Sequence, residues 1–279
     1  MKVVTTLDDL RHARAALAGP MGLVPTMGYL HEGHISLVRR ARTECASVAA
    51  SIFVNPAQFG PSEDLAAYPR DLARDLALLE EAGVDLVWTP TAEIVYPAGF
   101  QTWVTVEEMA RPLEGAHRPG HFRGVATVVA KLFNAFQPQR AYFGQKDAQQ
   151  AAVIRQMTRD LDFPVEVVIC PTVREQDGLA MSSRNAYLSQ EQRAAAPVLF
   201  RALSAAAMAW AAGQRDAEDL RQLMAGIIDA EPLARRQYVS VADPVTLQEL
   251  EGPVAGALLS MAVIVGTTRL IDNLVLGEA

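Results

Sequence analysis

Cysteine is nearly absent from this chain. Cys45 and Cys170 are the only two in 279 residues, far apart and set in apolar segments. A disulfide scaffold is therefore excluded, and two buried free thiols in a reducing cytoplasm are expected. Lysine is almost as scarce: Lys2, Lys131 and Lys146 are 3 of the 25 basic residues, and the rest are arginine. No basic run occurs and the formal net charge is −7, which argues against nucleic acid as a partner. It does not exclude a small anionic substrate, because charges beyond roughly 8 Å are screened at physiological salt and local cations decide the site. No apolar run approaches a membrane span; the longest candidate, Gly256 to Gly266, is too short. Met1 to Leu10 lacks the basic start and apolar stretch of a signal peptide. No membrane partner is expected, and no internal repeat or low-complexity linker is present.

Half of the residues are hydrophobic, enough for one large or two modest domains. Apolar runs alternate with helical patterns through the first 170 residues. Strands are expected at Met21 to Val24, Ser47 to Val54, Val84 to Trp88, Ala141 to Gly144 and Val165 to Val173. Helices are expected at Ile35 to Ala46, around Leu72, Leu76 and Leu79, from Val125 to Phe136, and from Ala148 to Leu161. This alternation predicts an α/β, Rossmann-like parallel sheet covered by helices. The pattern then changes. A polar loop, Arg174 to Asn185, leads into a long Ala-rich helix, Ser189 to Ala212, with a kink at Pro197. A second helix (Asp216 to Ile228) and strands at Tyr238 to Ala242, Ala257 to Val265 and Leu270 to Leu276 follow. The expected organisation is residues 1–173 as the sheet domain and 174–279 as a smaller C-terminal α+β domain.

The richest segment is Pro25-Thr26-Met27-Gly28-Tyr29-Leu30-His31-Glu32-Gly33-His34, between an apolar strand and an amphipathic helix. A helix start offers free N–H groups and partial positive charge, glycine permits close approach, and imidazoles three apart share a helical face. These features point to an anion site for phosphates. A purely structural loop with capping histidines is the plain alternative. A metal pair is a weaker one, since no third ligand stands at a familiar spacing.

Four further loops carry polar groups. Asn55-Pro56-Ala57-Gln58-Phe59 follows a strand directly, and reads either as a substrate contact or as an Asn-Pro turn. Arg118 to Gly124 brings Arg118 and His121 to a helix start, where a solvated loop is the equal alternative. Gly144-Gln145-Lys146-Asp147 repeats the strand–loop–helix arrangement, with Lys146 as a compact cation and Gln150 one turn on. Met181-Ser182-Ser183-Arg184-Asn185 sets two hydroxyls beside a guanidinium. The parallel-sheet reading places the first three of the four loops on one sheet edge and hangs Met181–Asn185 over it.

The first loop and Met181 to Asn185 resemble the HxGH and KMSKS-type motifs of the adenylate-forming nucleotidyltransferase superfamily. PTMGYLHEGH, FVNPAQF, the Tyr68-Pro69-Arg70 segment with Asp75, RPGHFRGV, FGQKD with Gln150, and PTVREQDGLAMSSRN together resemble the pantoate–β-alanine ligase (pantothenate synthetase) family in order and spacing. The resemblance spans essentially the whole chain. It implies ATP-dependent condensation of (R)-pantoate with β-alanine through pantoyl adenylate, with AMP and pyrophosphate released, Mg²⁺ assisting, and a cytoplasmic homodimer. It further implies that Met27, Gly28, Tyr29, Leu30, His31, Glu32, Gly33 and His34 hold ATP, with His34 the proton donor and His31 a phosphate contact. Gly144, Gln145, Lys146, Asp147 and Val173 would hold the nucleotide, and Met181, Ser182, Ser183 and Arg184 would close over its phosphates. Gln58 and Gln150 would bind pantoate, with Asn55, Tyr68, Arg118 and His121 lining the cavity. His31, His34, Lys146 and Arg184 would be the catalytic cations. No metal ligand is assigned, Asp75 included. A nucleotidyltransferase that keeps the nucleotide in its product, and a non-catalytic nucleotide-binding module, are the rival readings.

Overall fold

A computed structural model describes residues 1–61 and 63–277. In chain order the elements are β1 (Lys2–Val4), α1 (Leu7–Ala15), β2 (Met21–Thr26), α2 (Glu32–Glu44), β3 (Ser47–Ile52), α3 (Leu72–Glu81), β4 (Leu86–Trp88), α4 (Ala92–Val95), α5 (Glu114–His117), α6 (His121–Phe136), β5 (Arg140–Gly144), α7 (Ala148–Asp160), β6 (Glu166–Cys170), α8 (Gln190–Ala195), α9 (Val198–Ala211), α10 (Ala217–Asp229), β7 (Ala234–Ala242), β8 (Ala257–Val265) and β9 (Thr268–Leu276). They form two compact units. The first comprises Met1–Ala110, Gly115–Gln145 and Gln150–Pro171; the second comprises Arg111–Glu114, Lys146–Gln149 and Thr172–Ala279.

The first unit is the expected parallel sheet, in the order β1-β4-β3-β2-β5-β6, with every pairing parallel. Alternation along each strand sorts side chains to two faces. Leu23, Leu86, Trp88, Ala141 and Phe143 pack with α1, α6 and α7. Val24, Val87 and Tyr142 pack with α2 and α3 on the other face. Both thiols are free and buried, as expected. From β2 the chain runs outward through β3 and β4, and after β5 it runs the other way to β6. The order of strands therefore reverses between β2 and β5, and ligand crevices in open α/β sheets form at such a reversal, beyond the strands' carboxyl ends. The loops leaving those two strands begin at Met27 and at Gln145.

β1 and α1 were not among the expected elements. β1 is only three residues long, too short for a period to be read. α1 is set by Thr6, whose hydroxyl accepts the Asp9 N–H, and only Leu10 and Ala13 are buried along it.

The second unit stacks α8, α9 and α10 on an antiparallel sheet, β7-β8-β9. The expected kink at Pro197 separates α8 from α9. By length and apolarity alone the 22-residue stretch Gln190–Ala211 would qualify as a membrane span, longer than the Gly256–Gly266 run the sequence singled out. In the fold, Ala195, Val198, Leu199, Ala202, Leu203 and Ala206 pack into the second unit's core, the pattern of an amphipathic core helix.

Candidate active site

In the first unit, the Pro25–His34 loop is built around a capping box. His31 is the N-cap of α2, not its first turn. Its Nδ1 accepts the Gly33 N–H at 3.2 Å, and the His34 Nδ1 accepts the His31 N–H at 3.3 Å. The two rings consequently lie 4.1 Å apart, tilted by 44°. Their pairing comes from this reciprocal cap, not from a shared helical face. Both Nδ1 lone pairs receive backbone N–H groups, so each neutral ring carries its proton on Nε2. Two Nε2–H donors suit phosphate oxygens.

The expectation of free backbone N–H groups in this loop requires correction. The Gly28 N–H donates to the Thr26 hydroxyl at 3.2 Å. The Tyr29 and Leu30 N–H groups each donate to the Asp75 carboxylate at 2.7 Å. The His34 N–H donates to the His31 carbonyl. The exposed Glu32 carboxylate pairs with Arg39. With these amides engaged, the side chains of His31 and His34 are the loop's candidate donors to a ligand.

Asn55 and Gln58 form a second cluster. Asn55 is buried and caps the turn Pro56–Gln58 by accepting the Ala57 N–H. The Asn55 Oδ1 also accepts the Tyr96 hydroxyl at 2.8 Å, so its Nδ2 is left to donate to the Gln58 Oε1 at 3.0 Å and the Gly124 carbonyl at 3.1 Å. That choice fixes the Gln58 amide in turn. Its Nε2 faces Met27, 3.1 Å from the Sδ, and is available to a carboxylate or hydroxyl oxygen. Burial pushes the Tyr96 hydroxyl up to about 12, so it remains a donor at neutral pH.

His121 supports the same turn from α6. The Gln58 carbonyl can only accept, so the His121 Nδ1 donates to it at 2.8 Å, and the Nε2 accepts from Arg118 at 3.1 Å. The Arg118 guanidinium also forks onto Glu63, at 2.9 and 2.6 Å. Tyr68 is buried, with Phe59 set edge-on 5.9 Å away. Gly144 closes β5, Gln145 follows it, and Gln150 lies half-buried in the first turn of α7.

In the second unit, Lys146 sits 3.8 Å from the Asp147 carboxylate. Its carbonyl accepts the Asn273 Nδ2–H at 2.9 Å. Asn273 and Asp272 are successive residues of β9 and reach opposite faces of that strand. Asp272 takes the Arg174 guanidinium at 2.6 and 2.9 Å. Arg174 follows Val173, whose carbonyl accepts the Met181 N–H at 3.0 Å. Ser182 caps the next turn by accepting the Arg184 N–H, and Ser183 is buried behind it. The second unit thus links Lys146, Val173, Met181 and the serine pair through two β9 side chains. A further anchor holds the same segment: the Gln149 amide bridges the Glu114 N–H and the Pro112 carbonyl, and Glu114 is gripped by Arg269 and Tyr238.

Asp75, Tyr96, Asp272 and Asn273 were not read as site-building residues. Only Asp75 had a legible signal, a carboxylate interrupting the Leu72/Leu76/Leu79 stripe of α3. The others act across 41 to 127 positions of sequence and have no local pattern.

The profile of the family described as Pantoate-beta-alanine ligase matches residues 2–275. A pantothenate synthetase of Herpetosiphon aurantiacus is 65% identical over 277 residues, covering 99% of this chain and all of that protein. One from Roseiflexus sp. (strain RS-1) is 66% identical over 276 residues, covering 99% of each. The crystal structure of pantothenate synthetase from Thermus thermophilus superposes with a TM-score of 0.94 at 55% identity, covering 98% of this chain and 99% of that one. The pantoate-β-alanine ligase of Francisella tularensis, complexed with beta-gamma ATP and β-alanine, gives a TM-score of 0.81 at 34% identity, covering 98% of this chain and 97% of that one. A profile match and identities of this extent, over a chain that carries the capped histidine pair and the oriented Gln58 amide, establish that the chain belongs to the pantoate–β-alanine ligase family.

Proposed function

We propose that this chain joins (R)-pantoate to β-alanine at the expense of ATP, releasing AMP and pyrophosphate, with pantoyl adenylate as the intermediate. The observation that carries this reading is the family match from residue 2 to residue 275, over a sequence that keeps each motif with its chemistry intact.

A carboxylate resists attack by an amine because oxygen leaves poorly from it. Transfer to AMP supplies a leaving group. In the first step the pantoate carboxylate approaches the α-phosphorus, and two anions must be brought together. The Lys146 ammonium and the Arg184 guanidinium offset that repulsion, the Nε2–H groups of His31 and His34 hydrogen-bond phosphate oxygens, and His34 gives its Nε2–H hydrogen bond to the departing pyrophosphate. One unit charge at 4 Å contributes about 4 kcal/mol at an effective dielectric near 20, the interaction scale on which Lys146 and Arg184 act. The Gln58 Nε2–H and Gln150 hold pantoate, with Asn55, Tyr68, Arg118 and His121 shaping its surroundings. Met27–His34, Gly144–Asp147, Val173 and Met181–Arg184 hold the nucleotide. In the second step the neutral amine of β-alanine attacks the acyl carbon, and water must be excluded to protect the adenylate. Residues 1–173 bind ATP and pantoate in this reading, and 174–279 act as the lid.

Mg²⁺ belongs to the proposal. Among the described residues no group of three or more His, Cys, Asp or Glu side chains is placed to hold a metal. A Mg²⁺ ion carried by the nucleotide phosphates would neutralise phosphate charge. The protein is taken to act as a cytoplasmic homodimer, and light scattering tests the dimer.

Incubation with ATP, Mg²⁺, (R)-pantoate and β-alanine, followed by mass spectrometry, is expected to yield pantothenate, AMP and pyrophosphate. A product retaining the nucleotide would establish a nucleotidyltransferase instead. Absence of pyrophosphate release with any carboxylic acid would leave only a binding module. His34→Ala and Lys146→Ala should each lose pantoate-dependent ATP–pyrophosphate exchange by orders of magnitude while staying folded. Near-normal exchange in both would refute their roles.

A further inference from the structure

Asp75 is a carboxylate that the reaction does not use, yet it is 1% exposed. Burial alone drives its pKa up, and the two amides it accepts only partly offset that. A side chain held at such cost has a structural or functional reason. Its surroundings supply one. Gly28 and Tyr29 are consecutive left-handed residues, with φ of 85° and 50°. A non-glycine residue in that region is strained. The same conformation turns successive N–H groups toward one point, a concavity that binds an anion. In this loop the anion is internal: each Asp75 oxygen takes one of the two N–H groups, Tyr29 and Leu30, at 2.7 Å.

α3 holds the loop a second time, because the Arg74 guanidinium lies 5.4 Å from the Tyr29 ring centre. The approach is close. A Cβ added at Gly28 would stand 3.0 Å from the Asp75 Oδ2 and 3.0 Å from the Ile52 Cγ2. Leu30 is fully buried, and His31, the N-cap, is the next residue. The clamped Leu30 amide is therefore one residue from His31 and four from His34.

We propose that Asp75 is a positioning residue for His31 and His34, an internal anion that holds the strained Gly28–Leu30 turn in the one conformation that sets the capping box. Each of its oxygens takes one N–H in this task. The inference rests on the adenylation reading for its kinetic consequence and on geometry alone for its structural one.

The test is Asp75→Asn in the full-length chain, beside the wild type. An amide offers one acceptor where two N–H groups need one each. Pantoate-dependent ATP–pyrophosphate exchange should fall about tenfold or more in kcat, the scale of one lost charge-assisted hydrogen bond. The KM for pantoate should change by less than about twofold, because Gln58 is untouched. In ¹⁵N-correlated imidazole spectra, wild-type His31 and His34 should each appear as the single Nε2–H form, and the variant should show mixed forms. Wild-type exchange and unchanged imidazole spectra in the variant would overturn the proposal. So would recovery of the variant at about tenfold higher Mg²⁺, since that identifies a metal ligand. Should the variant not fold, amide exchange in the wild type decides: Tyr29 and Leu30 N–H must be strongly protected, and exchange at the rate of an open loop refutes the clamp. If the wild type itself shows no exchange reaction, the functional reading fails, while the imidazole and amide measurements still judge the clamp.

Discussion

Removing the Asp272 charge should be among the most damaging single changes in the second unit. Its side chain is 2% exposed and that of Arg174 is 17% exposed, with the closest approach at 2.6 Å. The fork is bidentate, and Arg174 also donates to the Gly178 carbonyl at 3.1 Å and lies 4.3 Å from the Phe200 ring centre. In Asp272→Asn the guanidinium stays charged and keeps the Gly178 and Asn273 carbonyls, the ring and one neutral amide oxygen, but loses the opposite charge. Breaking one half of a buried pair costs about 3–5 kcal/mol, because the survivor is left uncompensated. Arg174→Met should cost a comparable amount, since it strands the carboxylate. Replacing both, Arg174→Met with Asp272→Leu, removes the unpaired charge altogether and should return stability to within about 1–2 kcal/mol of the wild type. With Asp272→Leu measured alone to close the cycle, the coupling between the two sites is on the order of 3 kcal/mol or more. Urea unfolding read by ¹⁹F NMR of fluorotryptophan suits a chain of two units, because Trp210 reports on the second unit separately from Trp88 and Trp103. An Asp272→Asn variant within about 1 kcal/mol of the wild type, or a coupling near zero, would refute the reasoning.

Other outcomes follow from the same geometry. Gly124→Ala places a Cβ 2.2 Å from the Ala57 carbonyl oxygen and 2.7 Å from the Gln58 nitrogen; both are backbone atoms that cannot swing away, so the turn must shift, and steady-state kinetics should show a raised KM for pantoate. Gln58→Ala should raise the KM for pantoate more than that for ATP, and a selective ATP defect would count against its assignment. Tyr96→Phe removes one of the two donors to the Asn55 Oδ1 while the Ala57 N–H remains, so a smaller rise in the same KM is expected, with the KM for ATP unmoved. The Asp75 carboxyl, raised by burial, takes up its proton at a higher pH than an exposed carboxylate does. Its ionisation accordingly costs the folded state stability as pH rises through that value, and Asp75→Asn should remove this slope from the pH–stability curve. In the wild type, loss of adenylation on acidification should track the Asp75 ¹³Cγ titration; a titration at or below the value of a free aspartate would contradict an upward shift.

Much of this protein was readable along one dimension. Strand and helix periods are local, and Leu23 against Val24, or Phe143 against Tyr142, announce a sheet buried on both sides. The break at Pro197 and the strand–glycine loop–helix order at Met27 and Gly144 follow from backbone chemistry confined to a few residues. Motif spacing was enough to name the family. What a linear reading could not supply is which groups compete for the same donor or acceptor. Free amides were expected before α2, but the Tyr29 and Leu30 N–H groups belong to Asp75, 46 and 45 positions away. The imidazole pair was expected on a helical face, yet a reciprocal cap sets it, because α2 starts one residue after His31. Lys146 was conspicuous for its rarity, while its anchor on Asn273 lies 127 positions off and leaves no trace in either segment. Helix and strand patterns record how each stretch meets water; hydrogen-bond partners across the chain are chosen only when burial removes water as the alternative, and that choice is made in three dimensions.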